Sequence, residues 1–136
     1  MNLKPDGAPT ILVVDDFEDI RSLLRHWLEN RGYKVVEAGD GDEAIEVARR
    51  EHPALILMDI GMPQRSGISA TYKIRKIPEL SATPIVAITA YEAGDLHEDA
   101  LKAGCVKCLT KPIDSDELEQ LLNMLLKGAN VTRDVV

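Results

Sequence analysis

The sequence predicts an α/β domain of three layers, in which a five-stranded parallel sheet lies between two layers of helices. Short runs of branched apolar residues occur five times, at 11–14, 33–36, 55–58, 84–88 and 106–109. Uninterrupted apolar runs of this length are typical of strands that are buried on both faces. Segments with helical spacing lie between the runs, and such alternation gives right-handed crossovers and a parallel sheet. The second and fifth runs are less apolar, which favours the two edges of the sheet.

The first two predicted helices have recognisable ends. The first carries an apolar stripe at helical spacing and ends near Gly32, because glycine readily takes the left-handed conformation found after helices. Asp40 and Glu43 resemble a capping box that opens the second helix, which ends before Pro53. The stripe of the first helix comprises Phe17, Ile20, Leu24, Trp27 and Leu28.

The last three predicted helices follow the same rules. Ser66 is a candidate N-cap of the third helix, and Gly104 stops the fourth, which covers about 92–103. The fifth begins after Pro112, with Asp114 and Glu117 as another capping pair. The apolar stripes are Ala70, Ile74 and Ile77 in the third helix and Leu118, Leu121, Leu122 and Leu125 in the fifth.

Length and composition indicate one globular domain. The chain has 136 residues, of which 45% are hydrophobic. Residues 10–128 are predicted to form the domain, with tails at 1–9 and 129–136. The formal net charge of −7 argues against direct binding of nucleic acid, since such binding relies on clustered Lys and Arg. Because the sequence has neither a long apolar run nor an apolar leader, we expect a cytoplasmic protein without membrane insertion.

Candidate functional residues follow four of the five predicted strands. Asp15 and Asp16 follow the first strand, Asp59 the third, Thr89 the fourth and Lys111 the fifth. Functional residues of open α/β sheets lie beyond the carboxyl ends of the strands, so one crevice could gather all five. Each residue alone has an ordinary explanation as a solvated turn, a strand end or an exposed lysine. The prediction of a site therefore depends on their conjunction.

The residue types at these strand ends favour phosphoryl chemistry. Three carboxylates in one crevice repel one another, and a hard divalent cation relieves that repulsion. Mg²⁺, or Mn²⁺ in its place, prefers oxygen ligands from carboxylates, water and phosphate. Lys111 adds a positive charge and Thr89 a hydroxyl, which together favour a transferred phosphoryl group. Asp59 is the candidate nucleophile, because the adjacent pair Asp15 and Asp16 suits metal binding.

Four segments of the chain carry a family resemblance. They are ILVVDD at 11–16, LILMDIGMPQRSG at 55–67, PIVAITA at 84–90 and GCVKCLTKP at 104–112. Together they resemble the receiver domains of two-component response regulators, including the chemotaxis type. The resemblance implies a flavodoxin-like (βα)5 fold with strand order 2-1-3-4-5, for which the chemotaxis regulator is a standard example. It also implies a phosphorylation-dependent signalling switch, which assists its own phosphorylation and dephosphorylation but is not an enzyme in the ordinary sense.

The resemblance implies a role for each residue of the predicted site. Asp59 would be the phosphoacceptor. Asp16 would bind Mg²⁺ directly, and Asp15 would act mainly through a bound water. The backbone carbonyl of Gly61 would supply another ligand. Lys111 would pair with the oxygens of the phosphoryl group.

The resemblance also implies how the switch moves. Thr89 would turn to hydrogen-bond the phosphoryl group and draw in the loop that begins at Ala90, while Pro112 would follow a cis peptide bond. The family usually has Phe or Tyr three residues before the active lysine, whereas this chain has Cys108. Cys108 is too small to sweep out the volume of a turning ring. Two hypotheses follow: switching relies on the loop after Thr89, or Tyr91 takes part of the aromatic residue's role.

Cys105 and Cys108 form a C-x-x-C pattern, for which we expect ordinary, partly buried thiols. Redox pairs with this spacing usually open a helix, whereas this pair lies along a predicted strand, where residues three apart face opposite sides. A zinc site would need further ligands, and the spacing of His26, His52 and His97 supplies none.

The expected partners are those of a signalling switch. A sensor histidine kinase or a histidine phosphotransfer protein would donate the phosphoryl group, and an output protein would dock on the fourth helix, fifth strand and fifth helix. Met124 and Leu126 add apolar surface to the fifth helix, either for packing against the C-terminal tail or for docking. We expect a monomer or weak dimer. The chain is interpreted as a stand-alone regulator; the alternative is a receiver excised from a hybrid kinase or a larger DNA-binding regulator.

Three other functions fit the sequence less well. An aspartyl-phosphate hydrolase would want a second carboxylate two residues after the nucleophile, where this chain has Gly61. A flavin-binding module would want a Gly-, Ser- or Thr-rich phosphate cradle after the first strand, where this chain has Asp15 and Asp16. A degenerate receiver that acts only as a scaffold would lack site residues that this chain retains.

Overall fold

Strands and helices alternate along the chain as the sequence predicts. The computed structural model describes residues 7–90 and 94–126. Within that part of the chain, no helix combines the length and apolar character needed to cross a bilayer. The elements are β1 (Thr10–Val14), α1 (Glu18–Glu29), β2 (Lys34–Ala38), α2 (Gly41–Glu51), β3 (Leu55–Asp59), α3 (Ser66–Arg75), β4 (Ile85–Ala90), α4 (Gly94–Ala103), β5 (Lys107–Lys111) and α5 (Ser115–Leu126).

The five strands form one parallel sheet in the order β2-β1-β3-β4-β5. The predicted flavodoxin-like arrangement and its strand order are thereby confirmed. β2 and β5 lie at the edges, as their weaker apolar character predicted, because an edge strand is less enclosed than a central one. The direction of winding reverses between β1 and β3. Open α/β sheets place their sites in the crevice beyond the carboxyl ends of such a pair.

Two hydrophobic cores lie on opposite faces of the sheet. Neighbouring residues of the inner strands belong to different cores because side chains alternate along a strand. Leu12 and Met58 pack with α2, α3 and α4, whereas Val13 and Leu57 pack with α1 and α5. All four side chains are fully buried. The helices thus cover both faces and produce the predicted three layers.

Side-chain caps open two of the helices where the sequence predicts them. Asp40 Oδ1 accepts a hydrogen bond from the backbone N–H of Glu43 at 2.8 Å. Glu43 Oε1 accepts from the N–H of Gly39 at 2.6 Å, so the reciprocal bond falls one residue before Asp40. Asp114 Oδ1 likewise accepts from the N–H of Glu117 at 3.2 Å and opens α5. Such caps satisfy backbone donors that have no partner within the helix.

The predicted helix stops are also present. Gly104 follows α4 with a φ of 120°, and Gly32 lies shortly after α1 with a φ of 93°. Both values lie in the region that favours glycine. The second helix ends at Glu51, before Pro53. In the third helix, Ala70 and Ile74 are buried as predicted.

Some predicted boundaries and contacts are wrong. Phe17 does not join the buried stripe of α1: it precedes the helix in an extended conformation, so helical spacing does not apply, and 64% of it is exposed. Ser66 is the first residue of α3 rather than its N-cap, a position held by Arg65. β2 and β5 each extend beyond their apolar runs, since edge strands accommodate polar residues such as Glu37 and Lys111.

The two additional apolar residues of α5, Met124 and Leu126, differ in their exposure. Leu126 is partly buried and packs on the core shared with α1, whereas Met124 is 64% exposed. Residues 127–136 lie outside the described part of the chain. The packing of this tail against α5 therefore stays a prediction. Tyr91, proposed from the sequence as a switch residue, also lies outside it. The domain limits of 10 and 128 remain predictions.

Candidate functional site

Three carboxylates meet at the carboxyl ends of β1 and β3. Asp15 and Asp16 directly follow β1, and Asp59 is the last residue of β3. Carboxylate oxygens of the three residues all lie within 4.8 Å of one another. β1 and β3 are paired neighbours, so the predicted convergence follows from the strand order. Asp15 and Asp59 are almost completely buried, whereas Asp16 is exposed.

Lys111 joins the two buried carboxylates from the far edge of the sheet. Its Nζ lies 3.1 Å from Asp15 Oδ2 and 3.3 Å from Asp59 Oδ2. Lys111 ends β5 and is paired in register with Ala90 of β4, the strand that lies between β5 and β3. Partial burial acts to lower the pKa of Lys111, but the charge of Asp59 and the hydrogen bond to Asp15 outweigh it and raise the pKa. The lysine therefore stays positively charged beside the acids.

Asp59 is held by hydrogen bonds on both of its oxygens. The backbone N–H of Gly61 donates to Oδ1 at 2.7 Å, and Lys111 donates to Oδ2. Burial raises the pKa of Asp59 above its ordinary value of 3.8, and the neighbouring charge of Asp15 adds to that rise. The Gly61 N–H and the Lys111 charge act in the opposite direction. The side chain is thus fixed in orientation and confined next to other charges.

Asp15 connects the site to α1 and β2. Its Oδ1 accepts a hydrogen bond from the N–H of Phe17 at 2.8 Å, and its own N–H donates to the carbonyl of Ala38 at 3.2 Å. Arg21 Nη1 donates to the Asp15 carbonyl at 2.7 Å, while Arg21 Nε pairs with Glu37 Oε1 at 3.1 Å. Sequence reasoning missed Arg21. Its position in the second turn of α1, six residues after Asp15, was the available signal.

A second feature missed from the sequence is the close approach of α3 to Asp59. A Cβ atom on Gly67 would lie 2.2 Å from the carbonyl oxygen of Asp59 and 3.0 Å from Cα of Ile60. Only glycine therefore allows the first turn of α3 to pack against the end of β3. A glycine inside a helical pattern was the signal, because it often marks close approach of two backbones.

Thr89 lies next to the end of β3 but has no partner there. It is fully buried on β4, one residue beyond Ile88, which pairs in register with Asp59. Its hydroxyl forms no hydrogen bond with any described residue. A buried hydroxyl without a partner is costly, so such a group is notable beside the strand end that carries Asp59.

The remaining predicted residues have different outcomes. The Lys111–Pro112 peptide bond is cis, as expected from the resemblance. Gly61 is exposed and binds Asp59 through its N–H, while a metal-binding role for its carbonyl remains a prediction. Ala90 is exposed at the end of β4, where the loop to α4 begins.

The two cysteines are free thiols, but they do not face opposite sides of the sheet. Both contact the core formed with α2, α3 and α4, because Cys105 precedes β5 and the alternation of a strand does not apply to it. Burial raises the pKa of Cys105 to about 11 and also raises that of Cys108. Raised values disfavour the reactive thiolate, in agreement with ordinary core thiols.

The carboxylates suit a divalent cation such as Mg²⁺. Such ions take oxygen ligands and retain several waters, and here two buried carboxylates stand beside an exposed one that leaves room for water. Lys111 offsets only part of the negative charge of the three acids. The donor set therefore fits a hard cation and a transferred anionic group, and it fits the softer metals that prefer thiolates poorly.

Comparison with known proteins places this arrangement in one family. The family model described as "Response regulator receiver domain" matches residues 11–123. The chain is 35% identical to Protein PilH of Pseudomonas aeruginosa over 118 residues, 87% of this chain and 98% of PilH. It spans about half the length of several transcriptional regulators among its curated relatives.

Two solved structures share both the fold and part of the sequence. Chemotaxis protein CheY4 of Vibrio cholerae superposes with a TM-score of 0.82 at 28% identity, covering 88% of this chain and 100% of that chain. The receiver domain of sensor histidine kinase PA1611 from Pseudomonas aeruginosa PAO1 gives a TM-score of 0.80 at 33% identity, covering 88% and 98%. That structure is described with a magnesium ion coordinated in the active site cleft. This chain belongs to the response regulator receiver domain family.

Proposed function

We propose that Asp59 accepts a phosphoryl group from a phosphohistidine, and that the modified domain then changes its binding surface for a partner protein. The observation that carries the proposal is the cluster of Asp15, Asp16 and Asp59, whose oxygens lie within 4.8 Å of one another while Lys111 contacts both buried members. Receiver domains act as switches in two-component signalling rather than as ordinary enzymes. Their partners are histidine kinases and downstream effectors.

The proposed transfer moves one phosphoryl group between two side chains. A carboxylate oxygen of Asp59 forms the new bond to phosphorus while the bond from phosphorus to the donor imidazole nitrogen breaks, and that nitrogen keeps the electron pair. The Gly61 N–H holds Asp59 Oδ1, so the side chain need not reorient to react. Lys111 Nζ, already 3.3 Å from Oδ2, would pair with the phosphoryl oxygens.

Asp15, Asp16, Asp59 and the backbone carbonyl of Gly61 would hold Mg²⁺ in this proposal. When bound, the ion offsets the negative charge of the carboxylates and of the phosphoryl oxygens. The burial of Asp15 and Asp59 beside the exposed Asp16 supports this role. Mn²⁺ has similar oxygen preferences and would serve in its place.

The unpaired hydroxyl of Thr89 supports the proposed switching step. Because this group has no partner among the described residues, a new phosphoryl oxygen nearby would offer it a hydrogen bond. Movement of Thr89 would also move Ala90 and the loop that connects β4 to α4, which includes Tyr91. Cys108 is partly buried on β5, and its small side chain makes that loop the main moving part in this proposal.

The output protein is proposed to dock on α4, β5 and α5. Leu101 on α4, Val106 just before β5 and Met124 on α5 are large apolar residues with about half or more of their surface exposed. The buried core of a protein interface is more apolar than the rest of the protein surface. We propose a cytoplasmic monomer or weak dimer. The nearly complete overlap with PilH supports a stand-alone regulator, and the half-length overlaps support the alternative of a module in a larger protein.

Phosphorylation by a small donor tests the proposal. Incubation of the protein with acetyl phosphate and Mg²⁺, followed by intact mass spectrometry, should show the addition of one phosphoryl group. EDTA should abolish the addition, since the carboxylates would no longer be neutralised. The Asp59→Asn variant should not gain mass, because an amide oxygen is a poor nucleophile.

Glu46→Gln is the matched control, since it removes one negative charge from an exposed position on α2. It should be phosphorylated like the unchanged protein. If Asp59→Asn gains the same mass as the unchanged protein, another residue is the acceptor. A purified histidine phosphotransfer protein carrying labelled phosphohistidine then tests the donor class.

A further inference from the structure

The outer face of α3 carries a shallow groove of about 400 Å³ that has no part in the phosphoacceptor site. The side chains that matter for its chemistry are Arg65, Tyr72, Lys73 and Lys76. None of them hydrogen-bonds to Asp15 or Asp59, although Lys73 also lines the adjoining cavity that contains Asp16. The inference drawn from this groove is therefore independent of the proposed function.

The groove is basic on a chain whose net charge is −7. Ser66–Arg75 is the one α-helix among the described residues that contains no acidic side chain. Arg75 takes no part in the groove, because its guanidinium donates to the carbonyls of Thr83 at 2.6 Å and Gly104 at 2.8 Å. Lys73 and Lys76 are exposed and form no ion pair with any residue that the structure describes. Their charges remain available to a partner.

Arg65 contributes more to the shape of the groove than to its positive charge. It forms an ion pair with Asp99 of α4, which neutralises most of its charge. Arg65 and the preceding Gln64 have positive φ angles of 54° and 60°, a conformation that non-glycine residues seldom adopt. Such strain persists only where the surroundings impose it, and it is frequent at binding sites. The strained pair forms one wall of the groove.

Tyr72 adds an apolar contact to the two free lysines. Nearly half of its surface, 47%, is exposed, and the residue lines the groove together with Lys73 and Lys76. Tyrosine is enriched in protein interfaces because it combines a large apolar ring with a polar hydroxyl. The groove thus offers two ammonium groups and one aromatic ring within residues 72–76, which is about one helical turn.

We propose that this α3 groove binds an acidic segment of a partner protein. Carboxylates of the segment pair with Lys73 and Lys76, and an apolar residue of the segment packs on the Tyr72 ring. A protein segment fits better than nucleic acid, since the rest of the chain is acidic and would repel a long phosphate backbone. The site is distinct from the proposed output surface of α4, β5 and α5.

A model peptide tests the proposal. The probe is a fluorescein-labelled peptide of six glutamates around one central leucine, and the readouts are fluorescence anisotropy and ¹H–¹⁵N chemical-shift changes. We expect binding that weakens with added salt and shifts confined to residues 64–76. The double variant Lys73→Glu/Lys76→Glu should weaken binding at least about fivefold, because two favourable pairs become repulsive. Tyr72→Ser should weaken binding while leaving the salt dependence unchanged.

The matched control is Lys102→Glu/Lys107→Glu, which makes the same charge change at two exposed lysines of α4 and β5. It should change affinity less than about twofold. Equal weakening by both double variants would reduce the effect to net charge and overturn the proposal. Chemical-shift changes outside residues 64–76 would overturn the proposal. It would also be overturned if inorganic phosphate, added to the same total negative charge as the peptide, displaced the peptide. Tighter binding of a single-stranded oligonucleotide than of the peptide would overturn it as well. Urea unfolding confirms that the variants are folded.

Discussion

At the scale of single residues, Asp59, the proposed phosphoacceptor, occupies its position at an energetic cost. The residue is 3% exposed and lies beside Asp15, and burial raises its pKa. The Gly61 N–H and Lys111 offset part of that cost but not all of it, since the net direction is still upward. A carboxylate whose pKa is raised by burial destabilises the fold at neutral pH, and such a cost is common at functional sites.

The sign of the pKa change gives a prediction for Asp59→Asn. Below the ordinary pKa of 3.8, Asp59 is protonated in both the folded and unfolded chains. As pH rises past that value the unfolded chain loses its proton first, so stability falls until the raised folded pKa is passed. At pH 7 without Mg²⁺, Asp59→Asn should therefore raise the free energy of unfolding by about 1 kcal/mol. Urea unfolding at several pH values measures the difference, which should shrink toward pH 4.

Glu46→Gln again serves as the control, because it removes one charge from the surface of α2 and should leave stability within about 0.5 kcal/mol. An Asp59→Asn variant that is less stable than the unchanged protein at pH 7 would contradict the raised pKa. A stabilisation that stays constant across the pH series would instead point to a change in packing.

At the scale of elements, the contact between β3 and α3 positions Asp59, the proposed acceptor. α3 begins so close to the end of β3 that no side chain fits between Gly67 and the Asp59 carbonyl. A second glycine tightens the same region, since a Cβ atom on Gly41 of α2 would lie 2.4 Å from the Ser66 carbonyl. The first turns of α2 and α3 are therefore held by backbone contacts that leave no room for larger residues.

Gly67→Ala tests this contact through the sign of its effect. In an exposed helix the change would be stabilising by up to about 1 kcal/mol, because alanine has the higher helix propensity. Here the new Cβ atom would force the Asp59 carbonyl to move, so we expect a loss of about 1–3 kcal/mol in urea unfolding. Phosphorylation by acetyl phosphate should also slow. Ser69→Ala, on an exposed position of the same helix, should change neither property.

At the scale of the whole molecule, ten elements bring residues 15, 59 and 111 together from three separate strands. The site exists only when the sheet is assembled, because these residues are far apart in the sequence. The repulsion among its carboxylates must then be overcome by folding. Anything that binds the assembled site and not the unfolded chain will stabilise the fold by mass action.

Mg²⁺ should consequently stabilise the entire domain. At a free concentration ten times its dissociation constant, it should raise the free energy of unfolding by about 1.4 kcal/mol. Thermal unfolding with and without MgCl₂, at ionic strength matched with NaCl, measures the change. Asp16→Asn should remove most of it, whereas Glu46→Gln should retain it. Equal stabilisation of the Asp16→Asn protein would show that the ion acts elsewhere.

Much of this fold and site follows from sequence patterns alone. The apolar runs located every strand, and their relative apolarity located the edges, because burial on two faces selects for uninterrupted apolar residues. The site residues were found because they lie at or just beyond the carboxyl ends of four apolar runs, where sites of open α/β sheets occur. The position of Phe17 was predicted wrongly, because the helical spacing of α1 was extended one residue beyond the start of the helix.

Other features are invisible in linear patterns. The sequence determined the order of the elements, the candidate acids and the caps at Asp40 and Asp114, because these depend on neighbours within a few residues. Only the tertiary structure decided that Lys111 reaches Asp15 and Asp59, that Arg21 holds the Asp15 backbone and that Gly67 touches the Asp59 carbonyl. Such contacts join residues far apart in the chain, and their distances depend on how the helices pack against the sheet.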